Sequence, residues 1–238
     1  MSDTIEEALR AFRRGEPVLI YDFEDREGET DIAIPAICVK PEDIAMMRLD
    51  AGGLICVAIH PTAAKKLGLP FMHDVLRIAS EKIPEISSVS DASDIRYDSR
   101  SSFSLWVNHR DTFTGITDID RALTIRRIGE VVDYVLMGNN FDFGSEFRSP
   151  GHVAILRAAD KLVYERVGQT ELSVALAEMA GIAPAVAICE MLDAKTGKAL
   201  SKEKADKYAE ENGIPFVEGK AIVEYYLDFK EVKSNLFI

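Results

Sequence analysis

The chain has 238 residues, 47% of them hydrophobic, which suits one large globular domain or two small ones. Asp and Glu outnumber Lys and Arg by 40 to 28, for a formal charge of −12. A surface this acidic repels phosphate backbones, which excludes nucleic acid as the expected partner and leaves a small anion held by locally concentrated arginines.

In chain order, the N-terminal stretch MSDTIEEALRAFRRGEP is charged and lacks the apolar region of a signal peptide. Ile5, Ala8, Leu9 and Phe12 recur at helical spacing, with Asp3 or Thr4 placed to cap the helix and Gly15 to stop it. VLIYD (18–22) reads as a buried strand running into an acidic loop, DFEDREGET, and a second strand, DIAIPAICV. Pro41 starts a helix to Leu49. GGLICVAI (52–59) reads as a strand and Pro61 to Leu67 as a short helix. Residues 72–100 are less regular, and the polar stretch IPEISSVSDASDIRYDSRSS (83–102) reads as a mobile insertion. FSLWV (103–107) alternates like a strand. Asp118 or Asp120 can cap a long helix to Met137, and the loop GNNFDFGSEFRSPGH precedes a strand, VAILRA. Thr170 can cap the helix ELSVALAEMAG. AVAICEML is then a strand, Ser201 caps a helix to Asn212, IPFV is a last strand, and a final helix covers Ala221 to Phe229.

This alternation predicts an α/β fold, a single domain over residues 1–238 with a mixed β-sheet flanked by helices. No apolar run approaches the roughly 18 residues of a membrane span, so no membrane is expected. Cys38, Cys56 and Cys189 form neither a disulfide framework nor a zinc pattern, so a reducing, cytoplasmic setting is expected. Neither GxGxxG nor GxxxxGKS/T occurs, so a nucleotide cofactor has no motif support.

Four segments carry candidate chemistry. DFEDREGETD holds six carboxylates (Asp22, Glu24, Asp25, Glu27, Glu29, Asp31) around Arg26, between two buried strands. Such crowding is unfavourable unless a cation neutralises it, and oxygen ligands suit Mg²⁺ or Mn²⁺; the alternative is a solvated acidic turn. In RSPGH, Pro150 and Gly151 make a turn that presents His152 just ahead of a strand, as a proton shuttle or a structural histidine. In RVGQTE, the Arg166 guanidinium, Val167, Gly168, Gln169 and the Thr170 hydroxyl sit at a helix start. They form either a phosphate cradle or a simple N-cap. Glu190 ends the strand AVAICE, where α/β sheets bind ligands, and Cys56 lies inside LICVA, where a small buried hydrophobe is the plain alternative.

Taken in order, DREGETD, DAGGLICVA, TGITDIDRA, RSPGH, RVGQTE and ICEM resemble 3,4-dihydroxy-2-butanone 4-phosphate synthase, an enzyme family of riboflavin biosynthesis. Any one segment is weak, but the ordered set is specific and covers nearly the whole chain. The resemblance implies a monofunctional, archaeal-like form, without the GTP cyclohydrolase II half of bifunctional relatives. It implies conversion of D-ribulose 5-phosphate to 3,4-dihydroxy-2-butanone 4-phosphate and formate with Mg²⁺ (or Mn²⁺), in a homodimer with active sites near the subunit interface. By position it makes Glu27 a metal ligand and has Arg26 and Asp31 contact substrate. Arg166, Gly168 and Thr170 hold the phosphate, with Val167 and Gln169 in the same segment. His152 and Glu190 serve catalysis, and Cys56 lies near the substrate. The first proton acceptor stays open among Glu190, Asp22 and His152. One departure stands out: Gln169 occupies the position of the family's second metal ligand, a histidine. An amide oxygen can coordinate Mg²⁺, but imidazole is the better donor, so a weakened or inactive substrate-binding form is the alternative expectation.

Overall fold

The computed structural model describes residues 2–235. The first helix, α1 (Ser2–Arg13), precedes a β1 (Val18–Tyr21), β2 (Thr30–Pro35) hairpin. Then come α2 (Pro41–Met46), β3 (Cys56–Ile59), α3 (Pro61–Lys66), α4 (Met72–Ala79), α5 (Glu85–Val89) and β4 (Phe103–His109). The long α6 (Asp118–Leu136), the one-turn α7 (Phe143–Glu146) and β5 (Phe147–Arg157) lead to α8 (Gln169–Ala180) and β6 (Ala185–Glu190). A small hairpin of β7 (Leu192–Asp193) and β8 (Lys198–Ala199), then α9 (Lys202–Asn212), β9 (Phe216–Glu218) and α10 (Gly219–Asn235), complete the described chain. Among these residues no helix is long and apolar enough to cross a membrane.

Seven strands form one mixed sheet in the order β4-β5-β3-β6-β2-β1-β9, with β6 antiparallel to both of its neighbours. Helices cover both faces, which is why VLIY, CVAI and AVAIC read as continuous apolar runs rather than as alternating ones. Leu19, Ile34, Val57 and Ile155 pack with Ile44 of α2, Ala63 of α3 and Ile125 and Ile128 of α6. The alternate residues Ile20, Ala33, Ala58 and Ile188 pack on the other face with α1, α8 and α10. Helix α8 is buried nearly all round, enclosed by that face, α1 and α10, and beyond its polar first turn its sequence is mostly apolar accordingly.

Several local expectations are corrected. Helix α1 already starts at Ser2, so Thr4 falls inside its first turn, and the side chain of Asp3 lies outside the described ones. Neither Asp118 nor Asp120 caps α6; Thr117 does, its hydroxyl accepting from the Asp120 N–H, while the Asp120 carboxylate accepts from the N–H groups of Phe113, Thr114 and Gly115. Ser201 stands at the start of α9 without a side-chain capping bond, and Gly168 rather than Thr170 is the N-cap of α8. The 41–49 helix ends at Met46 and gives way to a wider π turn over Met47–Ala51. The stretch from 72 to 100 holds α4 and α5, and residues 143–152 belong to α7 and β5 rather than to a loop. Pro150 and Gly151 lie within β5, in an excursion of Ser149 to His152: Val107 pairs with Val153, but Asn108 pairs with Arg148.

Candidate active site

The acidic loop is organised from within. Asp22, directly after β1 and fully buried, accepts from the N–H groups of Glu27 (3.2 Å) and Glu29 (2.9 Å) and from Arg26 Nη1 (3.2 Å). Both of its oxygens are thus committed to folding the loop, which argues against Asp22 as a proton acceptor. The loop returns into β2, where Asp31 pairs with Glu190 across the β2–β6 ladder, while Cys56 pairs with Ile188 two residues along. One end of the sheet thereby gathers Asp31, Glu190 and Cys56 at the floor of a cavity of about 400 Å³.

Glu190 is locked by the segment that reads DAGGL. Gly53 donates to the Glu190 carbonyl (3.0 Å), and the Leu54 N–H donates to Glu190 Oε2 (2.8 Å). A Cβ at Gly53 would lie 2.4 Å from that carboxylate oxygen, so only glycine admits the approach. The carboxyl groups here resist ionisation. Burial, followed by the charges of Glu27, Glu190 and Asp22, pushes Glu29 up to about 7. Burial and then Glu190 hold Asp31 well above the ordinary carboxylate range, and burial raises Glu190. The Cys56 thiol is raised by the same causes, burial first and then Glu190, and is therefore protonated and a poor nucleophile.

The opposite wall is the start of α8. Gln169 is buried, and its amide nitrogen donates to two backbone carbonyls, those of Ile20 (3.0 Å) and Glu29 (3.1 Å). Two acceptors fix the orientation of the amide, because only the NH₂ group can donate to them. Its Oε1 is then left buried with no protein partner, as is Asp31 Oδ1. An orphaned buried acceptor beside proton-retaining carboxyls fits a cation. Among the described residues no group of three His, Cys, Asp or Glu has metal-holding geometry by itself. A cation here would lean on the Glu27 carboxylate and the Gln169 amide oxygen, with water and substrate completing the shell, the way Mg²⁺ is usually held.

Next to Gln169, Thr170 is buried and Gly168 lies against both guanidinium groups: a Cβ there would stand 2.2 Å from Arg166 Nη1 and 2.8 Å from Arg26 Nη2. Arg166 Nη1 bonds Glu171 Oε2 at 2.5 Å, and Glu171, fully buried, also accepts from the Ala159 N–H at 2.8 Å. The arginine is thus anchored by Glu171 while it lines the cavity.

Of the residues expected from sequence, Arg26, Glu27, Asp31 and Cys56 line this cavity, as do Arg166, Gln169, Thr170 and Glu190. Gly168 contributes backbone beside the arginines, and Val167 faces a neighbouring cleft with Phe23 and Tyr164. His152 is brought elsewhere: it does not line the cavity, is exposed, and is held by Asn108, which accepts from its N–H (2.8 Å) and meets its ring Nδ1 (3.1 Å). Glu29, Tyr97 and Asp98 also line the cavity. Glu29 was visible in the acidic run, but Tyr97 and Asp98 sit in the polar insertion, where no spacing marks them.

A three-layer α/β architecture with proton-retaining carboxyls, an orphaned amide oxygen and two partly buried arginines in one cleft defines an enzyme site built for a small anionic substrate. The chain belongs to the 3,4-dihydroxy-2-butanone 4-phosphate synthase family, whose model matches residues 6–225. It is 81% identical to the 3,4-dihydroxy-2-butanone 4-phosphate synthase of Archaeoglobus fulgidus, over 98% of each chain. The Methanosarcina mazei enzyme of the same name is 59% identical, over 95% of this chain and 92% of that one. Among solved structures, a 3,4-dihydroxy-2-butanone 4-phosphate synthase in complex with two magnesium ions superposes with a TM-score of 0.74 at 26% identity, covering 93% of this chain and 95% of that one. The family and the archaeal likeness expected from the motifs are borne out.

Proposed function

We propose that the chain converts D-ribulose 5-phosphate to 3,4-dihydroxy-2-butanone 4-phosphate and formate in riboflavin biosynthesis, in the cytoplasm and with Mg²⁺ or Mn²⁺. The observation that carries this reading, over that of a crippled binder, is the buried Gln169 Oε1: the fold commits both amide hydrogens and leaves the oxygen without a protein partner, in a residue that lines the same cavity as the carboxyls. The magnesium complex of a structural relative supports the same choice of ion. Glu27 and Gln169 would hold the ion, whose positive charge stabilises enediolate oxygens developing on the sugar.

The side chains divide the remaining work. Arg166, backed by Glu171, and Arg26, backed by Asp22, hold the phosphate end by charge-assisted hydrogen bonds. Glu190, held rigid by Leu54 and with its proton affinity raised by burial, takes the proton next to the substrate carbonyl; Asp31 and Glu29 lie within the same cavity to pass protons on. Cys56, a protonated thiol on the cavity floor, shapes the site and makes no covalent bond. The test is formate release from ribulose 5-phosphate by the purified protein with and without Mg²⁺. Metal-dependent formate is expected; substrate binding without formate would restore the inactive reading.

His152 reaches a substrate only from a second subunit. Asn108 ties it to the Thr114 carbonyl, and the loop that follows, with the first turn of α6, exposes Phe113, Ile116 and Ile119, at 95%, 49% and 69%. Apolar side chains so exposed beside one histidine suit burial in a homodimer that carries His152 into the partner's cavity. His152→Ala and Glu190→Ala are each expected to be inactive alone. Mixed and co-refolded, they are expected to regain activity, because one site in the heterodimer is intact. Absence of recovery would place the two residues in the same subunit's site.

A further inference from the structure

Arg26 and Arg166 come from opposite parts of the chain, yet their guanidinium groups converge on one oxygen. Asp98 Oδ2 accepts from Arg26 Nη2 at 2.7 Å and from Arg166 Nε at 2.5 Å. Each arginine is separately fixed by carboxylates of its own neighbourhood, Arg26 by Asp22 and Glu27 and Arg166 by Glu171. Asp98 is therefore not needed to anchor either one. It arrives instead from the segment between α5 and β4, and its side chain is 12% exposed. Tyr97, beside it, lies with its ring 5.3 Å from the Arg26 guanidinium, and Ile95 lines the same cavity. The only carboxylate this segment sends to the two guanidinium groups thus sits at their point of convergence.

Two guanidinium forks meeting at a point require an anion there. A tethered aspartate supplies one charge and, in this geometry, one shared oxygen. A phosphate monoester supplies close to two charges and three terminal oxygens, enough to accept from both forks at once. We propose that Asp98 is a built-in stand-in for the substrate's phosphate. It closes the empty site by latching the segment from α5 to β4 onto the arginine pair, and it yields to a dianionic phosphate monoester. Occupancy of the site then frees the segment, and monoanions fail to enter because they gain no more from the arginines than the tethered carboxylate they displace. This rests on the reading that Arg26 and Arg166 form the phosphate seat.

The experiment is calorimetric titration of the full chain with inorganic phosphate and, separately, acetate, for the native protein and for Asp98→Asn. It is paired with limited proteolysis of residues 85–102 across the phosphate titration. Losing the competing charge in an isosteric side chain is expected to tighten phosphate binding about tenfold, the worth of one charge-assisted hydrogen bond. Asp98→Asn is also expected to admit acetate, and phosphate but not acetate is expected to expose the segment in the native protein. Weaker or unchanged phosphate binding in Asp98→Asn overturns the proposal, as does phosphate binding that leaves the segment fully protected. Arg166→Gln separates the two levels. Phosphate binding retained there removes the seat itself; binding lost there but unaltered in Asp98→Asn removes only the role of Asp98.

Discussion

Gln169 has two amide hydrogens and one carbonyl oxygen, and the fold uses only the hydrogens. A histidine in its place would have one N–H for the Ile20 and Glu29 carbonyls and a nitrogen lone pair for a metal. Imidazole suits softer ions than an amide oxygen does. Gln169→His is therefore expected to raise the ratio of Zn²⁺ to Mg²⁺ affinity by about tenfold, read by direct metal titration. An unchanged ratio would mean that residue 169 does not touch the ion. The sequence marked the position as a departure from the family pattern. It could not show the oxygen's isolation, because both acceptors that orient the amide lie far away in the chain.

At the scale of elements, the helices and strands were legible where apolar runs or helical periods were long, and their ends were not. The start of α6 shows the reason. Thr117, Asp118 and Asp120 are all capable caps, and the choice among them depends on the loop of residues 113–115, whose N–H groups recruit the Asp120 carboxylate and leave the capping bond to Thr117. Thr117→Ala is expected to cost about 1 kcal/mol in denaturant unfolding, the usual worth of such a cap. Asp118→Ala is expected to cost less, since its partners Arg48 and Arg121 form ion pairs at or near the surface. An equal or larger loss at Asp118 would contradict that assignment. Helices α4 and α5 escaped the sequence reading for other causes: α4 does carry a stripe of Met72, Val75, Leu76 and Ala79 at helical spacing, but it spans only eight residues beside a polar run, and the five residues of α5 are too few to show a period.

For the whole molecule, the acidic balance of the composition becomes a pH dependence. Glu29 rises from its ordinary 4.5 to about 7 in the fold, and Asp31 and Glu190 shift in the same direction. A carboxyl raised on folding contributes stability that is intact below its unfolded value and is lost as pH climbs through its folded value. The metal-free protein is thus expected to lose stability as pH rises from 4.5 to about 7, the window set by Glu29. Mg²⁺ is expected to flatten that slope by compensating the carboxylates as they ionise. Melting temperatures across this range with and without Mg²⁺ measure it, and parallel curves would mean that no cation enters the cluster.

By itself the sequence determined the α/β class, the family, and most of the residues that meet in the cavity, because strand cores and functional segments are local strings whose composition carries their role. Only the tertiary structure decided what those residues do to one another. Asp22 became a scaffold because the loop folds back over it, and His152 lies in the excursion in β5, away from the cavity. Asp98 became a partner of Arg26 and Arg166 across separations of 72 and 68 residues. Such pairings follow from how the sheet brings its strand ends together, a property of the closed chain that no local pattern records.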